Sequence, residues 1–499
     1  MKGEHKAHLL QLIGRGLAKK GKREENLFQT SRFEREKGDL PMPYDTPGQR
    51  NMPALENPVA LLETMMVQAV ESPCETAVVK KAGRPNRLSN RLLAAGILWC
   101  VLHGWVSQWD LWRRVSCFGI GSLAPVAVCD QAIYNRLAKH GTAVMQELCA
   151  QISSWLWQWM APYEDHQLAP FAKRVYALDE STMRSVKRWL KELRDVPIGD
   201  PSLLAGRLIG LFDIRRQQWV RIDWLPKAIA NCQVQAEAML SQIEMGALLL
   251  FDLGYYNFEW FDTLTKRGIW WVARLRSNGS YVIQHRLVQR DGYFEALIFL
   301  GAHRSDQAAY LMRLIRVRYR GQWYSYITNI TDPLQLSGAQ IVALYARRWD
   351  IELGFRMLKD HLGLRFLWSA KMQVIGAQLW ATVILAQILH ALQVQVAVEA
   401  GVETFDVSLE LLWRYLPALS QLSATQGQPL LEVIKEVGVA LKFIRPSTRI
   451  RRVVPDIDWQ EITPLPVDLV WIREPRYAHK TNETRSRTSK KTKKEPGVI

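Results

Sequence analysis

The chain has 499 residues, 48% of them apolar, with 20 Trp, 15 Tyr and 14 Phe. Such a composition builds large cores, so global disorder and a fibrous fold are excluded, and the length suggests about three domains. Its 65 Lys and Arg against 48 Asp and Glu leave a net charge of +17, an excess that an enzyme of small neutral metabolites does not need. A polyanionic partner would use it to neutralise phosphates and speed encounter. Nucleic acid is therefore favoured over an anionic membrane surface or an ordinary basic exterior. None of the six cysteines forms a C-x-x-C pair, which argues for a reducing compartment and against a zinc finger.

Residues 1–58 read as a basic arm and linker. The first 37 hold ten basic and five acidic side chains, and a Pro/Gly-rich stretch follows at 39–58. No apolar signal-peptide core is visible there. Residues 59–171 read as a helical N-terminal DNA-binding domain. Within it Gly83-Arg84-Pro85 suits either a minor-groove arm or a plain turn. The stretch 126–139 predicts a short helix with Asp130, Asn135, Arg136 and Lys139 on its polar side. It serves equally as the second helix of a helix-turn-helix or as one more packed helix.

At residue 172 the texture turns to apolar, β-branched strands separated by helices, the pattern of an α/β core over 172–278. Short strands without helices over 279–335 predict a β-rich insertion. Helical periodicity returns at 336–370 and continues through a helical C-terminal region, 371–475. Within it, residues 374–400 are apolar enough to raise a membrane span. Gln378, Gln387, His390, Gln393 and Gln395 make this a buried helix with a polar seam instead. Residues 476–499 form a basic tail of disordered character.

Three carboxylates stand out. Asp179 ends the strand in YALDEST, and Asp252 ends the strand in LLLFDLGYY. Strand ends are where side chains converge on a crevice in layered α/β folds, although an aspartate there is also a common cap or turn former. The third is Glu352. Advancing about 100° per residue from Tyr345 places Arg348, Glu352, Arg356 and Lys359 with it in an arc of roughly 80°. Leu344, Ile351, Phe355, Leu358 and Leu362 fill the adjoining stripe. Ion pairing on a solvated face explains Glu352 between two arginines, but explains less well so many cations beside a tyrosine at the core boundary. Three carboxylates suit Mg²⁺ or Mn²⁺, and two such ions about 4 Å apart support phosphodiester cleavage. The neighbouring Arg and Lys suit phosphates. The histidines form no ligand cluster.

The stretch YARRWDIELGFRMLK, with Tyr345, Arg348, Glu352 and Lys359 in Y-x2-R-x3-E-x6-K spacing, resembles the DDE transposases of bacterial insertion sequences. YITNITD before it, KDHLGLR after it, and the ordered aspartates 179 and 252 carry the same resemblance, which covers roughly residues 80–445. It implies a ribonuclease H-like α/β catalytic core with a β-rich insertion, flanked by mainly helical N- and C-terminal regions. It further implies two Mg²⁺ ions (or Mn²⁺) held by Asp179, Asp252 and Glu352, which support nicking of element-end DNA and strand transfer into target DNA in a cut-and-paste pathway. A DNA hairpin can occur on that pathway. Tyr345, Arg348 and Lys359 would contact phosphate, with Arg356 beside them, and Trp349 and Trp260 are candidates to hold a flipped base. The partners implied are double-stranded DNA and a second copy in a synaptic homodimer, without a membrane or small-molecule substrate, in the cytoplasm at the bacterial nucleoid. A non-catalytic DNA-binding regulator leaves the 172–365 core without a purpose. A paired-carboxylate glycosidase has no use for the charge. An inactive remnant is compatible with the sequence, although all three carboxylates are present.

Overall fold

The computed structural model describes residues 87–477, except 106, 121–122, 184–194, 196–204, 226–231, 303–305 and 448–460, all within the compact unit Ala54–Ile499. The expected arm and linker, the helix beginning at Val59, the Gly83-Arg84-Pro85 turn, and the tail beyond 477 lie outside the described residues.

Helices α1 (Asn90–Leu102), α2 (Gln108–Arg113) and α3 (Asp130–Trp159) open the described chain. Ser89 caps α1 and Ser107 caps α2, each accepting a hydrogen bond from a first-turn amide; such caps satisfy donors that a helix start leaves orphaned. The expected short helix at 126–139 is instead the beginning of the 30-residue α3. The apolar stripe Ile133, Leu137, Met145, Leu148, Ile152 and Leu156 continues far past Lys139, so tertiary packing prolongs the helix. Arg136 turns inward to Asn90, whereas Asn135 and Lys139 remain exposed.

Strands β1 (Val175–Thr182), β2 (Arg207–Asp213) and β3 (Gln218–Leu225) form an antiparallel meander. Then α4 (Cys232–Met239), β4 (Leu248–Phe251), α5 (Phe258–Lys266) and β5 (Trp270–Arg274) add two strands parallel to β1. The β-rich stretch supplies β6 (Tyr281–Arg290), β7 (Tyr293–Leu300), β8 (Met312–Tyr319) and β9 (Gln322–Thr328). These strands extend the same sheet, because β9 pairs antiparallel with β5. Among the described residues one nine-stranded sheet results, in the order β3-β2-β1-β4-β5-β9-β8-β7-β6. The molecule is thus a mixed α/β structure with a large sheet and helices.

Helix α6 (Gly338–Arg347) begins in a capping box between Ser337 and Gln340. Within the expected helical stretch 336–370, a one-residue turn at Arg348, whose backbone stays helical, leads into α7 (Trp349–Arg356), which widens into a π-turn at Met357–His361. Helix α8 (Met372–Ala400) packs along α3, where Gly141 and Gly376 permit close approach. It is the one helix among the described residues long and apolar enough to cross a membrane, and it is buried within the protein. Its polar seam has local partners. Gln378 donates to the carbonyls of Gly363 and Phe366 and accepts from the Trp368 amide, which ties down the segment after the π-turn. Gln387 reaches Ser153, and Gln393 the Val407 carbonyl. Helices α9 (Leu409–Gln426) and α10 (Leu430–Gly438) follow. Beyond them the described chain is not helical. Residues 461–477 run beside the sheet, with bridges from Ile472 to Tyr310 and from Arg476 to Gln307.

Candidate active site

The strand register explains why two distant aspartates meet. Parallel β1 and β4 pair Leu178 with Phe251, so the next residues, Asp179 and Asp252, emerge side by side at the same sheet end. Both strands are apolar up to that point and buried. Parallel strands need a crossover connection, which accounts for the 73-residue separation.

Glu352 arrives from α7, which packs across β1 and β2. The seat is Trp219, buried with its ring 5.0 Å from that of Phe355. Gly354 and Gly210 make room for the indole: a Cβ on Gly354 would stand 2.8 Å from Trp219 Cζ2, and one on Gly210 2.4 Å from Cζ3. Gly354→Ala should therefore cost about 1–3 kcal/mol through overpacking, read as a lower denaturant midpoint at unchanged m-value. An unchanged midpoint would show that the indole yields freely.

Asp179, Asp252 and Glu352 line one cavity of about 660 Å³, together with Glu180, Ser181, Thr182, Met183, Phe355, Arg356, Lys359, Asp360 and Arg365. Arg348 Nη1 donates to Asp179 Oδ2 at 3.0 Å, and Nη2 to Glu352 Oε1 at 2.6 Å. Burial pushes the Asp179 carboxyl up to about 6, and the Glu352 and Asp252 charges act in the same direction; Arg348 and the Glu180 amide oppose them. Lys359, on the π-turn, donates to Ser181 Oγ at 2.6 Å. The Arg356 side chain is largely exposed, with its Nε 3.9 Å from Asp360, while Arg365 pairs with the same aspartate at 2.6 Å.

The other expected site residues separate. Tyr345 is buried, donates to the Phe251 carbonyl at 3.4 Å, and has its hydroxyl pKa pushed up by burial. Trp349 is 54% exposed beside Arg348. Trp260 is not brought to the cavity: it is 8% exposed in the core, 6.4 Å from Phe251.

Ser181, Thr182, Asp360 and Arg365 were not singled out as site residues in the sequence. Ser181 carried a signal, because it lies two residues beyond Asp179 on the same strand face. Arg365 carried none on the helical wheel, for it follows the left-handed turn at Gly363.

Hard carboxylate oxygens fit Mg²⁺ or Mn²⁺ chemically. As placed, no three His, Cys, Asp or Glu side chains among the described residues are grouped as a metal centre. The Arg348 guanidinium bonds one oxygen of each of two of the three carboxylates, so an ion sharing those oxygens would compete with it. Among the described residues, His390 is buried, and burial lowers its imidazole pKa to about 4.

Residues 228–388 match the family model described as transposase DDE domain. That span contains Asp252, Tyr345, Arg348, Glu352 and Lys359, while Asp179 precedes it. The chain is 24% identical over 243 residues to the transposase InsG for insertion sequence element IS4 of Escherichia coli, covering 45% of this chain and 54% of that protein. It is 30% identical over 149 residues to "Putative transposase y4zB" of Sinorhizobium fredii, covering 28% and 41%. The chain thus spans about half the length of the curated relatives it matches. Among solved structures, a chain of the piggyBac transposase synaptic complex with hairpin DNA aligns over 72% of this chain and 79% of its own, at 8% identity and a TM-score of 0.38. The family match and the two relatives support a DDE transposase.

Proposed function

We propose that this chain is a DNA transposase of the Y-x2-R-x3-E-x6-K branch, which cleaves the ends of its insertion element and joins them to target DNA. The observation that carries this reading is the convergence of Asp179, Asp252 and Glu352 on one cavity also lined by Arg356, Lys359 and Arg365. The three antiparallel and two parallel strands around Asp179 and Asp252, followed by the helix bearing Glu352, support a ribonuclease H-like core. Strands β6–β9 are then the insertion, residues 87–171 the part that binds element ends, and a synaptic homodimer the working assembly.

Asp179, Asp252 and Glu352 would hold two divalent ions, which supply activation of the attacking hydroxyl and charge neutralisation at the leaving oxygen. The chain's own cations do the positioning. Lys359, anchored by Ser181, places a nonbridging phosphate oxygen beside the carboxylates. Arg356 and Arg365 hold the adjacent backbone, and Arg348 offers a planar fork to a phosphate. Exposed Trp349 offers a stacking face to an unpaired base.

A time course on labelled element-end DNA, paired with a metal titration, tests the assignment. Lys359→Ala should leave metal affinity nearly unchanged and slow cleavage or joining by about 10²-fold. Wild-type rates in that variant would make the helix face an ordinary ion-paired surface. Binding should also be strongly salt-dependent. With six to ten phosphate contacts, log K should fall against log salt with a slope of about −5 to −9. A slope near zero would exclude phosphate-dominated binding.

A further inference from the structure

The Arg348 guanidinium bonds two of the three carboxylates at once, and the residue is itself only 5% exposed. It stands at the turn between α6 and α7, with Cζ 5.7 Å from the Tyr345 ring and 5.6 Å from the Trp349 ring. The charge compensation it gives Asp179 and Glu352 is the compensation a divalent ion would give them. An ion that took Asp179 Oδ2 or Glu352 Oε1 as a ligand would compete with the guanidinium for that oxygen. Once displaced, Arg348 is a poorly solvated cation that needs another anion, because an unpaired buried charge is costly. The adjoining cavity, with its Arg356, Lys359 and Arg365 lining, suits a phosphate.

We infer that Arg348 is an internal competitor for the metal site, and that a DNA phosphate releases it, so metal binding and DNA binding strengthen each other. This rests on the reading above, in which the three carboxylates ligate the ions. Linkage is reciprocal, and couplings of this kind amount to about tenfold in affinity. Loading the metal would then be favoured where DNA is already seated.

The test is calorimetric titration of Mn²⁺ into the full-length chain, with and without a short DNA duplex at fixed ionic strength. Without DNA, Arg348→Gln should bind Mn²⁺ about tenfold more tightly than wild type. Arg348→Lys, which keeps the charge but cannot bridge with a planar fork, should fall between them. The duplex should tighten Mn²⁺ binding to wild type by about tenfold and change Arg348→Gln little. The wild-type comparison needs no variant, so it decides the matter even if the substitutions impair folding. Equal Mn²⁺ affinity in wild type with and without duplex would overturn the inference, as would an Arg348→Gln protein, folded by circular dichroism, that binds no more tightly than wild type. Either result leaves the catalytic reading standing if Asp252→Asn and Glu352→Gln lose Mn²⁺. Retention of wild-type Mn²⁺ binding by those two variants would bring down the reading itself. Absence of Mn²⁺ binding under every condition would overturn both.

Discussion

Glu352→Gln should lower the rate of divalent-ion-dependent nicking of element-end DNA by about a thousandfold while leaving DNA affinity within a factor of two to three. The substitution keeps the side chain's size, and its amide oxygen can still accept from Arg348, so the packing of Ile351, Gly354 and Phe355 is undisturbed. Only the ligand charge is lost. Metal-assisted stabilisation is worth several kcal/mol, and each 1.4 kcal/mol is tenfold in rate. Arg356, Lys359 and Arg365 remain to hold phosphate. The paired measurements are a nicking time course and an equilibrium binding titration on the same labelled DNA. A nicking rate within about tenfold of wild type would remove Glu352 from the chemistry; a parallel collapse of binding would make it a structural residue.

Arg313→Met should destabilise the fold by roughly 3–5 kcal/mol, the usual cost of removing one partner from a buried ion pair. Arg313 on β8 is fully buried, and its guanidinium pairs with Glu295 on β7, also buried. Tyr293 donates to the other Glu295 oxygen at 2.6 Å, and Arg313 Nη1 reaches the Leu336 carbonyl at 2.6 Å and that of Asp332 at 3.3 Å. Arg313 therefore joins the β-rich strands to the turn that starts α6. Methionine fills much of the volume but leaves the carboxylate without its countercharge and both carbonyls without the Arg313 donor. The double variant Arg313→Met/Glu295→Met should recover a large part of the loss, since the stranded charge is then gone. Denaturant midpoints of the two single variants and the double variant give the coupling. A single-variant loss below about 1 kcal/mol would mean that water or rearrangement satisfies Glu295.

The parts of the site that depend on short-range pattern were readable in advance. YALDEST and LLLFDLGYY each show an apolar strand ending in a carboxylate. The spacing of Tyr345, Arg348, Glu352 and Lys359 put four groups on one helix face. The glutamines of α8 marked a polar seam in an apolar helix, and the structure supplies their partners. What escaped was set by contacts between distant segments. Periodicity has no view of the Leu178–Phe251 register that brings the aspartates together, nor of Trp219 lodged between Gly210 and Gly354. The π-turn at Met357–His361 is invisible to a calculation that advances a constant angle per residue. Trp260 is carried only by the family resemblance, which has no view of its packing against Phe251. The polar side of the 126–139 stretch does not show that the buried stripe continues from Ile133 to Leu156 and packs against α8.

The proposed role of Asp179, Asp252 and Glu352 is that of a metal-dependent DNA-cleaving centre. Its most direct test is a time course of the wild-type, full-length chain on labelled DNA carrying its own element ends, with Mg²⁺, with Mn²⁺, and with a chelator. Cleavage is expected at the element terminus with either ion, followed by joined products when target DNA is supplied, and none with chelator. Cleavage that persists in chelator, or element ends left intact with both ions by protein that binds them, would contradict it.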